Sequence, residues 1–225
     1  METQNITRES LAAIIDHAVL SPAATLCDLR DGCELAARYH VASVCVRSCD
    51  VAPATEFLAG APVAVGAVIG FPHGGSDSSV KAAEAVRAVD EGAGELDMVI
   101  NISHLREQRI DEVRSDIAAV VRPAAGRPVK VILECCYLDQ AQMAAGCRAA
   151  AEAGAALVKT CTGLGPSGAT VVDVRFVRRQ VGNRLGVKAA GGIATLVDAL
   201  AMIRVGASRI GTSKTNSILK ELKAN

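Results

Sequence analysis

The 225-residue sequence has no tryptophan and few other aromatic residues, since three Phe and two Tyr make up 2% of it. Because single-stranded nucleic acids bind on stacked aromatic rings, this composition argues against a base-stacking surface. A charge excess is also lacking, because 24 Lys and Arg balance 24 Asp and Glu. Nucleic-acid-binding proteins and proteins held at membrane surfaces by charge usually carry a basic excess. We therefore expect neither a nucleic-acid nor a membrane partner.

Long hydrophobic runs are missing as well. The longest uncharged apolar stretch, residues 61–72, is shorter than the ~18–20 residues that span a bilayer, and it contains two Gly and two Pro. The first ten residues are polar, and no apolar signal segment follows a basic start. We therefore expect a cytoplasmic protein.

The eight cysteines do not form a recognisable framework. None lies in a C-x-x-C pair, and the four histidines are scattered along the chain. Disulfide frameworks belong to short secreted chains, so we expect small, buried, reduced cysteines in the cytoplasm. We expect no metal site.

What the sequence does contain is a regular alternation of short apolar runs with amphipathic stretches. Near-continuous apolar runs suit strands that are covered on both faces, as in a parallel sheet. Eight such units in one chain without a linker favour an α/β fold, a single closed parallel (β/α)8 TIM barrel over residues 1–225. An open doubly wound sheet is the alternative, but it usually has five or six strands. The eight predicted strands are 13–20, 41–46, 63–69, 95–100, 129–133, 156–160, 186–190 and 208–211.

Helical periodicity marks the segments between the strands. In residues 79–91 the polar residues recur at spacings of three and four, which predicts a helix whose opposite face is buried. The polar set is Lys81, Glu84, Arg87 and Glu91, and the expected buried face is Val80, Ala83, Val86 and the other alanines of the segment. Thr-x-x-Asp sequences beginning at Thr25, Thr170 and Thr195 predict three capped helix starts.

Lysines inside apolar strands are the first candidates for chemistry, because desolvating an ammonium group is costly. Lys130 lies early in its strand, so we interpret it as a buried ion pair or a snorkelling side chain. Lys159 and Lys188 lie on consecutive strands about 4.8 Å apart, where like charges oppose each other and at least one pKa should fall. A neutral lysine attacks carbonyl groups and forms a Schiff base.

Asp97 is the acidic candidate near this pair. It lies on the fourth predicted strand, and side chains from alternate strands of a barrel share a layer. Asp97 can therefore meet Lys159 of the sixth strand as a proton-transfer group. The alternative is a simple counter-ion for a buried lysine.

Two glycine-containing segments are candidate phosphate-binding sites. Gly163, Gly165 and Gly168 match G-x-G-x-x-G after a strand, but the acidic residue expected about twenty residues later in a dinucleotide site is missing. The loops after strands seven and eight, at 191–192 and 211–214, occupy the recurrent phosphate site of barrels. Tight turns that need glycine are the alternative. These residues together indicate a phosphorylated carbonyl substrate.

With these motifs the chain resembles the deoxyribose-phosphate aldolase family over nearly its whole length. The matching segments are 15–17, 44–46, 70–74, 95–101, 158–160, 187–193 and 208–213. The resemblance implies that Lys159 forms the Schiff base, Lys188 tunes it and Asp97 relays protons. The implied reaction is reversible cleavage of 2-deoxy-D-ribose 5-phosphate to acetaldehyde and D-glyceraldehyde 3-phosphate, without a metal or other cofactor.

The remaining predicted site residues contact the substrate and its phosphate. They are Asp16, Cys45, Thr162, Gly163, Gly191, Gly192, Gly211, Ser213 and Lys214. The partners that we expect are the small sugar phosphate and aldehydes, together with a second copy of the chain, because dimers are the commonest soluble oligomers.

The chain departs from the family pattern in several places. Ala18, Ser48, Cys161, Leu164 and Lys214 replace commoner residues, and no tyrosine stands near the C-terminus, as in some members. A nicotinamide-dependent dehydrogenase and a sugar-phosphate sensor without catalysis are the competing functions. The missing acidic residue opposes the former, and the intact lysine pair with Asp97 opposes the latter.

Overall fold

A closed eight-stranded barrel forms the centre of the molecule. The computed structural model describes residues 6–222, and its strands are all parallel and follow chain order around the ring. The first strand pairs with both the second and the eighth, which closes the barrel and excludes the open sheet. The strands are β1 (Ile15–Val19), β2 (Ser43–Val46), β3 (Ala64–Ile69), β4 (Glu95–Val99), β5 (Val129–Ile132), β6 (Leu157–Lys159), β7 (Gly186–Ala190) and β8 (Arg209–Thr212).

Helices follow every strand and cover the barrel. The described part of the chain has α1 (Arg8–Ala12), α2 (Leu26–Tyr39), α3 (Val51–Phe57), α4 (Ser78–Asp90), α5 (Ile102–Arg106), α6 (Ile110–Val121), α7 (Gln140–Glu152), α8 (Val171–Val181), α9 (Leu196–Arg204) and α10 (Thr215–Glu221). Only the connection between β4 and β5 contains two α-helices. The predicted (β/α)8 barrel is therefore confirmed.

All eight predicted strands are present, with ends that differ from the expected ones by at most two residues. The apolar runs are buried on both faces because the helices cover the outside and side chains fill the inside. β2, β4 and β5 are buried along their whole length. The apolar runs were easy to recognise in the sequence, because a strand that is buried on both faces has no polar face and its residues are nearly all apolar.

The three predicted caps also begin helices. The side chains of Thr25 and Thr195 accept the backbone N–H of the Asp three residues later, and that Asp accepts the threonine N–H in return. Thr170 also accepts the N–H of Asp173, but there the Asp173 carboxylate accepts the Thr170 hydroxyl instead. Two full capping boxes and one partial box therefore start α2, α9 and α8.

The expected burial of α4 was right for two of its alanines and wrong for its valines and Lys81. Ala85 and Ala88 form the buried face, as predicted. Lys81 is fully buried, whereas Val80 and Val86 are 55% and 46% exposed. The helix turns its smallest residues toward the barrel, and this rotation carries Lys81 inward.

Asp116 of α6 is the partner that makes the burial of Lys81 tolerable. Its Oδ2 lies 2.6 Å from Lys81 Nζ, which also donates to the Val99 carbonyl at 2.9 Å. Asp116 further accepts the Ser78 hydroxyl at 2.8 Å and the Asn101 N–H at 3.2 Å. The group joins α4, α6 and the end of β4, so a helix pair is held to the barrel by a buried charge pair.

We expect Asp116→Ala to lower the free energy of unfolding by about 3–5 kcal/mol, because it leaves the Lys81 ammonium buried without its counter-ion. The combined change Lys81→Met with Asp116→Leu should lose much less, since both charges go together. Asp111→Ala is the control, because it removes an exposed ion pair with Arg114 on the same helix. Denaturant unfolding measures all three. Similar losses for Asp111→Ala and Asp116→Ala would contradict this account.

Candidate active site

A cavity of about 780 Å³ opens at the carboxyl ends of the barrel strands. The loops after β1, β6, β7 and β8 form its walls. Eleven of the twelve predicted site residues line it: Asp16, Cys45, Lys159, Thr162, Gly163, Lys188, Gly191, Gly192, Gly211, Ser213 and Lys214. The twelfth, Asp97, is completely buried and reaches the cavity through the lysines.

The two candidate lysines meet on one carboxylate oxygen. Lys159 and Lys188 are register partners on β6 and β7, so their side chains leave the sheet at the same level. The Nζ atoms of both lie 2.7 Å from Asp97 Oδ2. Side chains of the fourth and sixth strands, Asp97 and Lys159, are thus in contact, as predicted.

Asp16 distinguishes the two lysines. Its Oδ2 lies 2.5 Å from Lys188 Nζ. Within residues 6–222, the recorded ion pairs of Lys159 include Asp97 alone. Lys188 is therefore bound between two carboxylates, whereas Lys159 shares one.

A further layer of charge lies below the lysine pair. Lys130 Nζ lies 3.0 Å from Asp16 Oδ2 and from Asp97 Oδ1, and it also contacts Glu95 Oε2. Arg209 reaches Asp16 Oδ1 and Glu95 Oε1, each at 2.9 Å. The interpretation of Lys130 as a buried ion pair is confirmed. Asp16, although it lines the cavity, has both carboxylate oxygens occupied by cations.

The ion pairs of Asp16 and Asp97 affect the pKa values of these carboxyl groups more strongly than burial does. Burial alone would raise the pKa of Asp97, but Lys130, Lys159 and Lys188 hold that pKa well below its usual value. Burial would likewise raise the pKa of Asp16, and cations led by Lys130 and Lys188 lower it. Both groups are therefore carboxylates at neutral pH.

The opposite shifts apply to the cations. Burial disfavours the charged form of Lys188, but Asp16 and Asp97 outweigh burial and raise its pKa. The same balance, with Glu95 added, holds the pKa of Lys130 well above its usual value. Cys45 Sγ lies 3.8 Å from Asp97 Oδ2, and burial together with that charge raises its pKa to about 11. Cys45 is thus a neutral thiol in the cavity wall.

The G-x-G-x-x-G sequence serves loop packing. A Cβ at Gly168 would meet the Gly191 carbonyl oxygen at 2.3 Å, and one at Gly163 would meet the Gly191 Cα at 3.5 Å. The Ala169 N–H donates to that same carbonyl at 3.0 Å. Gly168 therefore lets the loop after β6 lie against the loop after β7.

The loops after β7 and β8 combine tight turns with hydrogen bonds. Gly191 and Gly192 have φ values of +95° and +75°, which other residues rarely adopt. The Thr212 hydroxyl donates to the Ile193 carbonyl at 2.7 Å and accepts the Lys214 N–H at 2.9 Å. Lys214 itself is exposed at the start of α10. The loops meet at one corner, as the sequence predicts for a phosphate site.

Three charged residues near the site were absent from the predicted set: Glu95, Glu134 and Arg209. Glu134 lies two residues after β5, in a left-handed conformation at φ +57°, and is buried. Both of its carboxylate oxygens accept the Thr162 N–H, at 3.1 and 3.2 Å, which fixes the start of the loop after β6. An acidic residue directly after an apolar strand was a usable signal for Glu134.

Within the described residues, no grouping of three or more His, Cys, Asp or Glu side chains is arranged to hold a metal ion. No helix of residues 6–222 combines the length and apolar character needed to cross a bilayer. Tyr39 donates to Asn216, Tyr137 is exposed, and neither lines the cavity. The C-terminal residues 223–225 lie outside the described part.

Comparison with known proteins decides the family. A family described as DeoC/LacD family aldolase matches residues 10–216. The chain belongs to this aldolase family. A deoxyribose-phosphate aldolase of Thermococcus gammatolerans is 50% identical over 207 residues, which cover 90% of this chain and 92% of that protein.

Solved structures show the same DeoC/LacD barrel. One from Coccidioides immitis superposes with a TM-score of 0.93 and 40% identity, over 96% of this chain and 87% of that one. The deoxyribose phosphate aldolase of Aeropyrum pernix, described as tetrameric, gives a TM-score of 0.91 and 32% identity, over 97% and 93%. The predicted family resemblance is confirmed.

We expect Gly168→Ala to cost about 1–3 kcal/mol of stability, because its Cβ cannot fit against the Gly191 carbonyl without moving one loop. The hydrogen bond from the Ala169 N–H should weaken, so this amide should exchange faster in hydrogen–deuterium exchange. Gly75→Ala is the matched control, since nothing lies within 4 Å of its added Cβ. Unchanged Ala169 exchange in Gly168→Ala would show that the loops do not depend on this contact.

Proposed function

We propose that the protein is a Schiff-base aldolase that reversibly cleaves 2-deoxy-D-ribose 5-phosphate to acetaldehyde and D-glyceraldehyde 3-phosphate. The observation that carries the proposal is the pair Lys159 and Lys188 on the single oxygen of Asp97, at the floor of a cavity with glycine loops. Membership of the aldolase family and the names of its relatives support it.

Lys159 is the proposed nucleophile because it is paired with fewer carboxylates than Lys188 is. Lys188 is bound by Asp16 and Asp97, and its raised pKa keeps it an ammonium ion. The positive charge of Lys188, so close by, opposes protonation of the Lys159 amine. The neutral amine that attacks a carbonyl is therefore assigned to Lys159, and Lys188 is the group that favours it.

The proposed reaction begins when Lys159 Nζ adds to the C1 aldehyde of the open-chain sugar. The oxygen of this adduct takes up a proton from solvent and leaves as water, which gives an iminium ion. Loss of the proton from the C3 hydroxyl then breaks the C2–C3 bond, and its electron pair moves into the iminium as an enamine. D-Glyceraldehyde 3-phosphate departs. Protonation at C2 and hydrolysis release acetaldehyde and restore the amine.

Asp97 is the proposed proton relay between the amino groups. Its depressed pKa makes it a carboxylate that accepts from both Nζ atoms through Oδ2. A proton can pass from one amine to the other along this oxygen. The same contact also makes Asp97 a counter-ion of the two lysines, and the two roles are compatible.

The phosphate is assigned to the corner formed by 191–192 and 211–214, with Lys214 adding charge and Thr162 and Gly163 in the adjacent loop after β6. Backbone N–H groups of glycine turns approach an anion closely. Asp16 and Cys45 complete the proposed contacts near the reacting carbons. No further cofactor or metal enters the proposed reaction.

The alternative functions differ in their chemistry. The glycines expected of a dinucleotide site pack loops together, which weakens the dehydrogenase hypothesis. A sensor would bind the sugar phosphate without forming a covalent intermediate. We further propose that residues 1–225 act as one catalytic domain in the cytoplasm, as a homodimer; sedimentation equilibrium distinguishes a dimer from a tetramer like that of Aeropyrum pernix.

Trapping with acetaldehyde and borohydride, followed by mass mapping, tests the lysine assignment. We expect Lys159→Leu to lose both activity and trapping, because the carbon–nitrogen bond cannot form. Lys188→Leu should keep trapping at high pH and lose about 10²–10⁴-fold in rate, since a proton-transfer partner is gone. Its activity optimum should move to higher pH.

Trapping by Lys159→Leu but not by Lys188→Leu would reverse the two roles. If both variants still trap substrate, the Schiff base forms elsewhere. Sugar-phosphate binding by the unmodified protein without any trapping would favour the sensor.

For the phosphate corner, we expect Lys214→Ser to raise KM for the phosphorylated sugar about tenfold, because a charged hydrogen bond to phosphate is lost. KM for unphosphorylated deoxyribose should change little, and kcat for both should persist. Lys220→Ser on the same helix, outside the cavity lining, is the control. Equal effects of Lys214→Ser on both sugars would instead indicate a solvated lysine.

A further inference from the structure

The hydroxyl group of Thr160 joins the two strands that carry the lysine pair. Thr160 follows Lys159 directly, where β6 ends, and its side chain is completely buried. Its Oγ1 donates to the Ala190 carbonyl and accepts the Ala190 N–H, each at 3.2 Å. One side chain therefore binds both backbone groups of the last residue of β7.

This hydroxyl replaces backbone hydrogen bonds at the point where β6 leaves the sheet. The Thr160 N–H still donates to a carbonyl of β7 at 3.0 Å, in the register of the two strands. Bonds of a parallel ladder recur every two residues, so the next one would join the Thr162 N–H to the Ala190 carbonyl. The chain has turned by then, because Thr162 donates to Glu134 and the Thr160 carbonyl accepts the Cys135 N–H. The side chain of Thr160 therefore holds β7 where the backbone of β6 no longer does.

Ala190 is the residue directly before the proposed phosphate turn at 191–192. Its register partner on the other side is Gly211 of β8, which begins the segment 211–214. Both phosphate-binding segments therefore start from the position that Thr160 holds. Thr160 is not among the described residues that line the cavity, so it acts through Ala190 rather than on a ligand.

We propose that Thr160 is a positioning residue of the aldolase site, whose hydroxyl sets the separation between Lys159 Nζ and the phosphate corner at 191–192 and 211–214. This inference rests on the proposed roles of Lys159 and of that corner. A sugar phosphate that is held at one end by its phosphate and attacked at the other needs a fixed separation between these two points. An unphosphorylated sugar is held at the lysine end alone, so loss of the hydroxyl should affect the phosphorylated substrate selectively.

A similar hydroxyl bridge at the opposite end of β7 provides a matched control. The Ser208 hydroxyl donates to the Val187 carbonyl at 3.3 Å and accepts the Val187 N–H at 3.1 Å. Val187 is the second residue of β7, and neither it nor Ser208 is among the cavity-lining residues of the described chain. Ser208→Ala therefore removes a pair of side-chain bonds of the same kind from the same strand, away from the site.

The test is the ratio of two kcat/KM values, that for 2-deoxy-D-ribose 5-phosphate over that for 2-deoxy-D-ribose. A change in the folded fraction cancels in this ratio, because both sugars meet the same enzyme. Thr160→Val keeps the shape of the side chain without its hydroxyl, and we expect the ratio to fall about 10–10²-fold. Thr160→Ser keeps the hydroxyl and should restore most of the ratio, whereas Ser208→Ala should leave it unchanged.

Two further measurements separate the contact from the chemistry. The Ala190 amide should exchange faster with deuterium in Thr160→Val than in Thr160→Ser, because its acceptor is lost. Trapping with acetaldehyde and borohydride should still label Lys159 in both variants. If Thr160→Val does not fold, Thr160→Cys carries the test, since a thiol is a weaker donor and acceptor and should lower the ratio in part.

An unchanged ratio in the Thr160 variant that lacks the hydroxyl overturns the proposal, whether or not the Ala190 amide exchanges faster. An equal fall of the ratio in Ser208→Ala also overturns it, because any loosening of β7 would then suffice. Both results leave the aldolase proposal intact. In the unmodified protein, a ratio near one rejects the phosphate corner and this role of Thr160 with it, and absence of trapping rejects the Schiff-base function itself.

Discussion

A single carboxylate oxygen organises the interior of this protein. Asp97 Oδ2 holds the amino groups of Lys159 and Lys188, and the other oxygen of Asp97 holds Lys130. Without Asp97, Lys159 would lose its recorded counter-charge, and Lys130 and Lys188 would each lose one of several, so the cost of burying these groups would rise. The position of Asp97 therefore decides where the lysines meet, and Asp16 makes them differ.

The barrel is what makes this convergence possible. Strands far apart in the chain direct side chains to a common axis, so residues separated by more than sixty positions in sequence come within hydrogen-bond distance. Parallel register places Lys159 beside Lys188, and closure of β8 on β1 brings Arg209 to Asp16. In many barrels branched apolar side chains fill this space in layers. Here charged side chains occupy much of it, and their pairing replaces apolar packing.

Much of the fold was predictable because buried parallel strands leave a continuous apolar signal, and the threonine caps mark helix starts by local hydrogen bonds. The lysine pair was predictable for the opposite reason, since a charge inside an apolar strand is conspicuous. The orientation of α4 was not, because Lys81 is indistinguishable in sequence from a solvated residue until Asp116 is placed opposite it. Arg209 and Glu95 stand at strand starts, where charge is common, so only the closed barrel reveals that they face inward.

The interior ion pairs also set the acidity range over which the barrel holds together. Asp16 and Asp97 have lowered pKa values in the folded state, so their stabilisation is complete above their ordinary value of 3.8 and is lost as the medium becomes more acidic. Lys130 and Lys188 have raised values, so their stabilisation is complete below 10.5 and is lost as the medium becomes more alkaline. Between these limits the cluster favours the folded chain. Neither mild acid nor mild alkali therefore removes the ion pairs that join the strands from within.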